Sequence, residues 1–374
     1  MRYLSLFTIV IAGLIAAAPV SAQSTAEIIA AAVRPLPEDL RDGATVYRYA
    51  ADTGERIMLR QGTNHIECRP EDANGFTRCE SVLMGPRRDL EAKLRAQGVE
   101  GDALQAAVAE AEAAGDIDPV PFGTMLYRLF DTGDRIQRLW LVRLPNATAD
   151  QLAMPTASQR DNSLAGMGLP WMMREGTPNA HLMIPINGTE LSNPGGTTTR
   201  ANTKHIDDPI EQALLPLPDS LKDGATVVRY DRETGERNVL RQGTNVIECQ
   251  TRDPVTLFIR CYHEQRGPEY DLRAKLTAQG MSNDEIGAQV DAARAAGTIP
   301  PRPFALDYRV YEDDDRIKYL WILRMPDTMS EDLGMSTASQ RDSSLAGQGL
   351  PWMMREGTPN AHLMIPINST ELSN

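Results

Sequence analysis

The chain has 374 residues, a formal net charge of −13 and a pI of about 5.0. An acidic surface repels the phosphate backbone of nucleic acids and the headgroups of anionic membranes, so we expect neither as a partner. The length fits two domains of ordinary size. No motif in the sequence requires a cofactor.

The first residues have the pattern of a cleaved export signal. Arg2 precedes the apolar run Leu4–Ala18, and Val20 and Ala22 are small residues at the positions that a signal peptidase reads. The run is shorter than the roughly 20 apolar residues of a membrane-spanning helix. We therefore predict a signal peptide over residues 1–22, no membrane span, and export to the periplasm or the exterior of a bacterial cell.

The rest of the chain is a duplication. Residues 154–193 recur as 335–374, with 36 identities in 40 aligned positions. The similarity extends upstream, so we place copy one at 26–193 and copy two at 207–374, joined by a polar linker at 194–206. A duplicated unit of this size predicts two domains, each with a core of its own.

Each copy begins with short segments rich in Ile, Val and Tyr that are separated by turn residues, a pattern that predicts an antiparallel β-meander. A helical pair follows, because apolar residues then recur at helical spacing and Gly98 offers a helix C-cap. Strands grouped apart from helices indicate an α+β fold rather than alternating βαβ units. The predicted strands of copy one are 44–49, 56–61, 64–69, 76–82, 125–130, 136–143 and 181–185.

Four cysteines are divided evenly between the copies. Cys68 and Cys79 fall on consecutive predicted strands of copy one, and Cys249 and Cys261 do so in copy two. A hairpin turn midway between the members of a pair places them opposite each other, within disulfide distance. An even number of cysteines in an exported protein favours structural bridges, so we predict Cys68–Cys79 and Cys249–Cys261.

Only one histidine position is shared by the two copies, His181 in the first and His362 in the second. If its segment forms a hairpin, Met173 faces His181 and Trp171 faces Met183 on one side of a sheet. Thioethers and imidazole suit Cu(I) or Ag(I), and an indole ring can cover such an ion. The hypothetical soft-metal sites are Trp171, Met173, His181 and Met183, and Trp352, Met354, His362 and Met364.

The same residues also fit an ordinary hydrophobic core. Met and Trp at alternating strand positions are usually packing residues, and a single His among them is usually hydrogen-bonded. Packing therefore explains the pattern without any metal.

An exported hydrolase is the alternative function. Each copy contains the residue types of a catalytic triad, near its shared histidine. Neither serine lies in a Gly-x-Ser-x-Gly elbow, the turn that exposes such a nucleophile. The candidates are Ser163, His181 and Asp161 in copy one and Ser344, His362 and Asp342 in copy two.

Charged residues that both copies retain allow a further interpretation. Several lie on predicted strands, where partly buried ion pairs are the ordinary role. An arginine-lined cleft for an acidic ligand is the functional alternative, because guanidinium groups bind carboxylate and phosphate through paired hydrogen bonds. We expect an exported, disulfide-bridged binding or interaction protein rather than an enzyme. The retained pairs include Arg48/Arg229, Arg60/Arg241, Glu67/Glu248, Arg143/Arg324 and Glu175/Glu356.

Overall fold

Each copy forms one eight-stranded sheet accompanied by short helices, so the α+β fold class is confirmed. The structure is a computed structural model and describes residues 23–130, 138–159, 168–186, 206–311, 319–340 and 349–368. The predicted signal peptide and the linker up to residue 205 lie outside these ranges. Within them, no helix has the length and apolarity needed to cross a membrane.

The elements follow the same order in both copies. Copy one contains α1 (Thr25–Ala32), α2 (Glu38–Arg41), β1 (Thr45–Tyr49), β2 (Arg56–Arg60), β3 (Ile66–Arg69), β4 (Phe76–Ser81), α3 (Gly85–Ala96), α4 (Gly101–Ala114), β5 (Met125–Phe130), β6 (Arg138–Arg143), α5 (Ala149–Leu152), β7 (Trp171–Met173) and β8 (His181–Pro185). Copy two contains α6 (Pro209–Ala213), α7 (Asp219–Lys222), β9 (Thr226–Tyr230), β10 (Arg237–Arg241), β11 (Ile247–Gln250), β12 (Ile259–His263), α8 (Gly267–Ala278), α9 (Asn283–Ala295), β13 (Leu306–Val310), β14 (Tyr319–Arg324), α10 (Ser330–Leu333), β15 (Trp352–Met354) and β16 (His362–Pro366).

The sheets are mixed rather than wholly antiparallel. In copy one the order is β2-β1-β3-β4-β5-β6-β8-β7, and β1 pairs in parallel with β3, which leaves β2 at the edge. The chain crosses from β2 to β3 against the backbone of Gly43 and Thr45, where a side chain on Gly62 would clash. Gly243 makes the same close approach in copy two. A glycine is therefore required at this crossover. Strand propensity does not predict this close approach between backbones.

The disulfides join the residues predicted. Cys68 pairs with Cys79 between β3 and β4, and Cys249 pairs with Cys261 between β11 and β12. The members of each pair are directly opposite in the sheet register, and all four are fully buried. Each bridge thus fastens a hairpin at the centre of its sheet.

Side chains alternate between two faces of each sheet. In copy one we call the face that carries Tyr127 and Trp140 the core face, because both belong to the main buried cluster. The opposite face, which carries Glu80 and Leu141, is called the outer face. Helix α3 lies over the outer face and contacts it through Arg88, which hydrogen-bonds Glu80.

The core faces of the two copies pack against each other. The main cluster of buried apolar residues draws on both copies and includes Trp140 and Trp321, each 0% exposed. Phe122 and Phe304 meet edge to face, with ring centroids 4.8 Å apart. The expectation of separate cores is corrected here, because each sheet covers the apolar face of the other. The domain boundaries themselves stay a prediction.

Hydrogen bonds between the copies are reciprocal. The Tyr127 hydroxyl donates to the carbonyl oxygen of Gly334 at 2.7 Å, and the equivalent Tyr308 hydroxyl donates to the carbonyl oxygen of Ala153. Gly334 and Ala153 are themselves equivalent positions. The two copies therefore meet as the subunits of a symmetric homodimer do, with the same patch used on both sides.

Helices α3 and α4 form a separate small layer with an apolar cluster of their own. An ion pair between Arg87 and Glu112 joins them in copy one. In copy two the equivalent pair is Glu269 with Arg294, so the charges are exchanged while the contact is kept. Charge in this region has thus been rearranged between the copies without a change of fold.

Candidate functional site

A cavity of about 1070 Å³ lies on copy one, around the end of the sheet where the β3–β4 hairpin turns. Seven arginines line it against three carboxylates, although the chain has a net charge of −13. We call it the arginine cleft. Its charged lining is Arg34, Arg48, Arg69, Arg78, Arg88, Arg95, Arg143, Glu71, Asp72 and Glu91, and its apolar lining includes Ile28, Ala31, Phe76, Leu126 and Leu129.

The fold brings these arginines together from separate elements. Arg69 on β3, Arg78 on β4 and Arg143 on β6 occupy positions that point to the outer face, and Arg69 lies directly opposite Arg78. Helix α3 contributes Arg88 and Arg95, which are two turns apart and lie on one side of the helix. The cleft therefore has a strand floor and a helix wall, both cationic.

A buried carboxylate fixes the arginines of the floor and the wall. Glu80 is 3% exposed and accepts hydrogen bonds from Arg69 at 2.8 Å, from Arg88 at 2.8 and 3.0 Å, and from Arg143 at 3.0 Å. Burial raises the pKa of Glu80, but the surrounding guanidinium ions outweigh it and hold the pKa well below the usual range. Glu80 thus stays ionised and orients three arginines at once.

Positive charge in the cleft exceeds what its acids neutralise. Burial, with the neighbouring Arg88, lowers the pKa of Arg143 to about 10. Burial also lowers the pKa of Arg78, and Arg69 adds to this although Asp72 opposes it from 2.8 Å. Within the described residues, the buried Nε of Arg143 has no hydrogen-bond partner. Arginines that destabilise one another's charged form would be stabilised by an added anion.

Arg34 and Arg48 form the other side of the cleft. Arg34 follows α1, which rests on the core face through a contact of Cys79 with the carbonyl of Ala32. Arg48 lies on β1 and points to the same face as the buried Val46. Both arginines are exposed, and neither guanidinium has an ion-pair or hydrogen-bond partner in the described part of the chain. They are available to a ligand.

Copy two keeps the fold of this region but not its charge. Three of the seven arginine positions remain arginine, and four do not. The cleft is therefore a property of copy one. In the order of the copy-one arginines, the residues of copy two are Leu215, Arg229, Gln250, Arg260, Tyr270, Thr277 and Arg324.

The Glu80–Arg88 ion pair is replaced by two aromatic rings in copy two. Tyr262 and Tyr270 occupy these positions, and their rings stack with centroids 4.0 Å apart. Both rings are buried. The carboxylate that organises the cleft in copy one is thus absent at the equivalent position of copy two.

One of the three arginines that copy two retains at these positions is neutralised inside the protein. Arg324, the equivalent of Arg143, donates to Asp307 at 2.8 Å, where copy one has Leu126. Burial raises the pKa of Asp307, yet its arginine neighbours lower it to about 2. A second carboxylate, Glu269, pairs with four arginines of copy two that are not equivalents of cleft arginines. Its ion-pair partners are Arg266, Arg273, Arg294 and Arg302.

The hypothetical soft-metal residues have the predicted register. Met173 is opposite His181, and Trp171 is opposite Met183, on the outer face of the β7–β8 hairpin. Trp171 and Met183 are each 0% exposed and pack in an apolar cluster with Leu141. The hairpin therefore brings the four residues to one face, and two of them also serve as core. Copy two pairs Trp352, Met354, His362 and Met364 in the same way.

The imidazole of His181 has one nitrogen engaged. Its Nδ1 lies 2.7 Å from the carbonyl oxygen of Asn179, so Nδ1–H donates and the lone pair is on Nε2. Burial lowers the pKa of His181 and lowers that of His362 to about 3, with Arg324 adding to the second shift. Both rings are thus neutral at pH 7, the form that coordinates metals. Among the described residues, no group of three or more His, Cys, Asp or Glu side chains is placed to hold a metal.

The triad alternative depends on residues that the structure does not describe. Asp161 and Ser163 lie outside the described ranges, as do Asp342 and Ser344. The hydrolase hypothesis stays a prediction.

Retained charges elsewhere have structural partners. Arg60 donates to the carbonyl oxygen of Ala44 at 2.8 and 3.0 Å, and Glu67 accepts from Arg56 at 2.6 and 3.0 Å. Arg241 and Glu248 repeat these contacts in copy two. Buried and partly buried bonding therefore accounts for these positions, whereas three other arginines found in both copies, Arg48, Arg78 and Arg143, line the cleft.

Three residues that organise the cleft were not predicted. Retention in both copies was the criterion, and copy two lacks the equivalents of Arg69, Glu80 and Arg88. They can be identified by the opposite criterion, because these two arginines and this carboxylate are found in copy one alone.

Comparison of the chain with protein-family models, with curated proteins and with solved structures gives no match.

Proposed function

We propose that the protein is an exported binding protein and that copy one binds an acidic ligand in the arginine cleft. One observation carries the proposal, a local surplus of positive charge on an acidic chain. Seven arginines meet four carboxylates when the buried Glu80 is counted, whereas the whole chain has a net charge of −13. Guanidinium groups bind carboxylate, sulfate and phosphate through charge-assisted hydrogen bonds.

The asymmetry between the copies supports the same proposal. Copy two covers the core face of copy one, keeps only three of the seven cleft arginines, and neutralises one of these, Arg324, with Asp307. Its role is therefore to stabilise the fold on which the cleft of copy one is built. The two buried disulfides fit the oxidising compartment of an exported protein.

Calorimetric titration of the mature chain with citrate at low ionic strength tests the cleft. We expect one site per chain, with an affinity that falls as salt is added, because the attraction is electrostatic. Arg78→Ala should lower the affinity about tenfold or more, since a hydrogen bond to a charged group contributes about 1.5–3 kcal/mol. Arg260→Ala is the matched control, because Arg260 is the equivalent residue and lies over Phe258 as Arg78 lies over Phe76.

Two results would contradict the proposal. One is the absence of saturable binding of citrate, sulfate and inorganic phosphate at low salt. The other is an equal loss of affinity in the Arg78→Ala and Arg260→Ala variants, which would place the site outside the cleft.

The register of the β7–β8 hairpin favours a second candidate function, soft-metal binding by each copy. We expect Ag(I) to quench Trp fluorescence with two equivalents per chain, and His181→Ala to remove one. Because burial lowers the pKa of both histidines, binding should persist below pH 6.5, and to lower pH in copy two. Unchanged stoichiometry in a His181→Ala/His362→Ala variant would assign these residues to packing alone.

A further inference from the structure

Five of the arginines that line the cleft form two groups on opposite faces of the sheet. The outer pole consists of Arg69, Arg78 and Arg143, and the core-side pole consists of Arg34 and Arg48. Arg78 on β4 and Arg48 on β1 are two strands apart, so about 10 Å of sheet separates their backbones, and their side chains point away from each other. A single small anion therefore contacts one pole or the other, not both.

Apolar side chains adjoin both poles. Phe76 lies two residues before Arg78 on the outer face of β4, and the Arg78 guanidinium is 4.8 Å from the centre of its ring, whereas Leu129 pairs with Thr77 on the core face. Ala31 precedes Arg34 by about one helical turn, on α1. Surfaces of this kind bind hydrocarbon rather than hydrated groups. The cleft thus presents positive charge at two places with an apolar lining beside each.

The volume also exceeds what one small anion fills. At about 1070 Å³ it lies just above the range of about 300–1,000 Å³ that holds drug-sized ligands. From these features we propose that the ligand is an elongated dianion, with one anionic group at each end and an apolar body between them. This inference rests on the proposed function of the cleft, and it names the class of ligand. Long dicarboxylic acids and short peptides with an acidic residue at each end share this chemistry.

A series of linear dicarboxylic acids tests the inference by calorimetry on the mature chain. We expect the affinity to rise from succinate through suberate to dodecanedioate, by about tenfold or more overall, because each buried methylene contributes up to about 0.8 kcal/mol. Dodecanedioate should also bind about tenfold more tightly than laurate, which has the same length and one carboxylate, because the second charged hydrogen bond contributes about 1.5 kcal/mol or more.

The core-side pole can be removed without disturbing the fold, because Arg34 and Arg48 are exposed. Arg34→Ala/Arg48→Ala should abolish the difference in affinity between dodecanedioate and laurate, because only one pole then remains to bind a carboxylate. Arg229→Ala is the control, because Arg229 is the equivalent of Arg48 in copy two. This variant should keep the full difference in affinity between dodecanedioate and laurate.

A parallel titration uses a peptide with an aspartate at each end of three leucines. Tighter binding of the peptide assigns a polypeptide source, tighter binding of the dicarboxylate assigns a free acid, and either supports the dianion.

The outcomes separate this inference from the function beneath it. If citrate binds but the affinity does not depend on dicarboxylate length, or laurate equals dodecanedioate, the elongated dianion is wrong and the anion site stands. If none of the acids binds, the proposed function of the cleft fails as well.

Discussion

Replacement of Glu80 by Gln is expected to lower the free energy of unfolding by about 3–5 kcal/mol, because it leaves buried arginines without a counter-charge. Glu80 is the shared acceptor of Arg69, Arg88 and Arg143, all within 3.0 Å. Urea unfolding at pH 7, followed by circular dichroism, measures the effect. Asp219→Asn is the control, since Asp219 is 95% exposed and its ion pair with Lys222 contributes less than about 1 kcal/mol.

The same substitution has a defined pH dependence. The folded protein holds the pKa of Glu80 below its unfolded value, so the stabilising contribution is complete above about pH 4.5 and is lost as the pH falls towards the folded pKa. The difference between wild type and variant should therefore be largest at neutral pH and shrink in acid. A Glu80→Gln variant as stable as wild type at pH 7 would contradict the role of Glu80 as the organising anion.

Copy one expressed alone, as residues 23–193, is expected to fold only as a dimer. The isolated copy exposes the core face that copy two covers, including Trp140. A second copy-one chain can replace copy two, because Tyr127 would then donate to Ala153 of its partner, as Tyr308 does here. The midpoint of unfolding should rise with protein concentration, and dilution should unfold the fragment.

Sedimentation and urea unfolding at several concentrations measure this behaviour. The chain 23–374 is the control, and its midpoint should not depend on concentration, since both halves of the interface are covalently joined. A fragment that is monomeric and unfolds cooperatively at a fixed midpoint would show that each copy has a sufficient core of its own.

Local features of the fold could be predicted because their causes lie within short segments. The β7–β8 hairpin register follows from alternation on either side of one turn, and it places Met173 opposite His181 as expected. The Cys68–Cys79 bridge follows from the same reasoning for β3 and β4. In both cases the residues that decide the geometry are near each other in the chain.

The shared core could not be predicted, because an alternating pattern shows that a face is buried and not what buries it. The sequence of β6 has an apolar core face whether it meets a helix, a loop or another sheet. The contact between Phe122 and Phe304 joins segments about half the chain apart and has no local signature. The parallel pairing of β1 with β3 was not predicted for a similar reason, since the same residues suit a parallel or an antiparallel pairing.

The cleft was predicted only in outline. An arginine-lined cleft was the functional alternative to ordinary ion pairs, and Arg48 and Arg143 do line a cavity. The acidic ligand stays a prediction. Its organising residues are specific to copy one and come from β3, β4 and α3, which are brought together by tertiary packing. Residues shared by both copies identify what the fold requires. Glu80 and Arg88 occur in copy one alone, so a comparison based on shared residues does not find them.

Hydrogen–deuterium exchange of residues 23–374 with and without citrate tests the central claim, that copy one holds the ligand site and copy two does not. We predict slower exchange on binding at 69–78 and 85–96, the hairpin and the helix of the cleft. The equivalent segments 250–260 and 267–278 should be unchanged. Equal protection of both copies, or protection limited to the β7–β8 hairpin, would contradict the account.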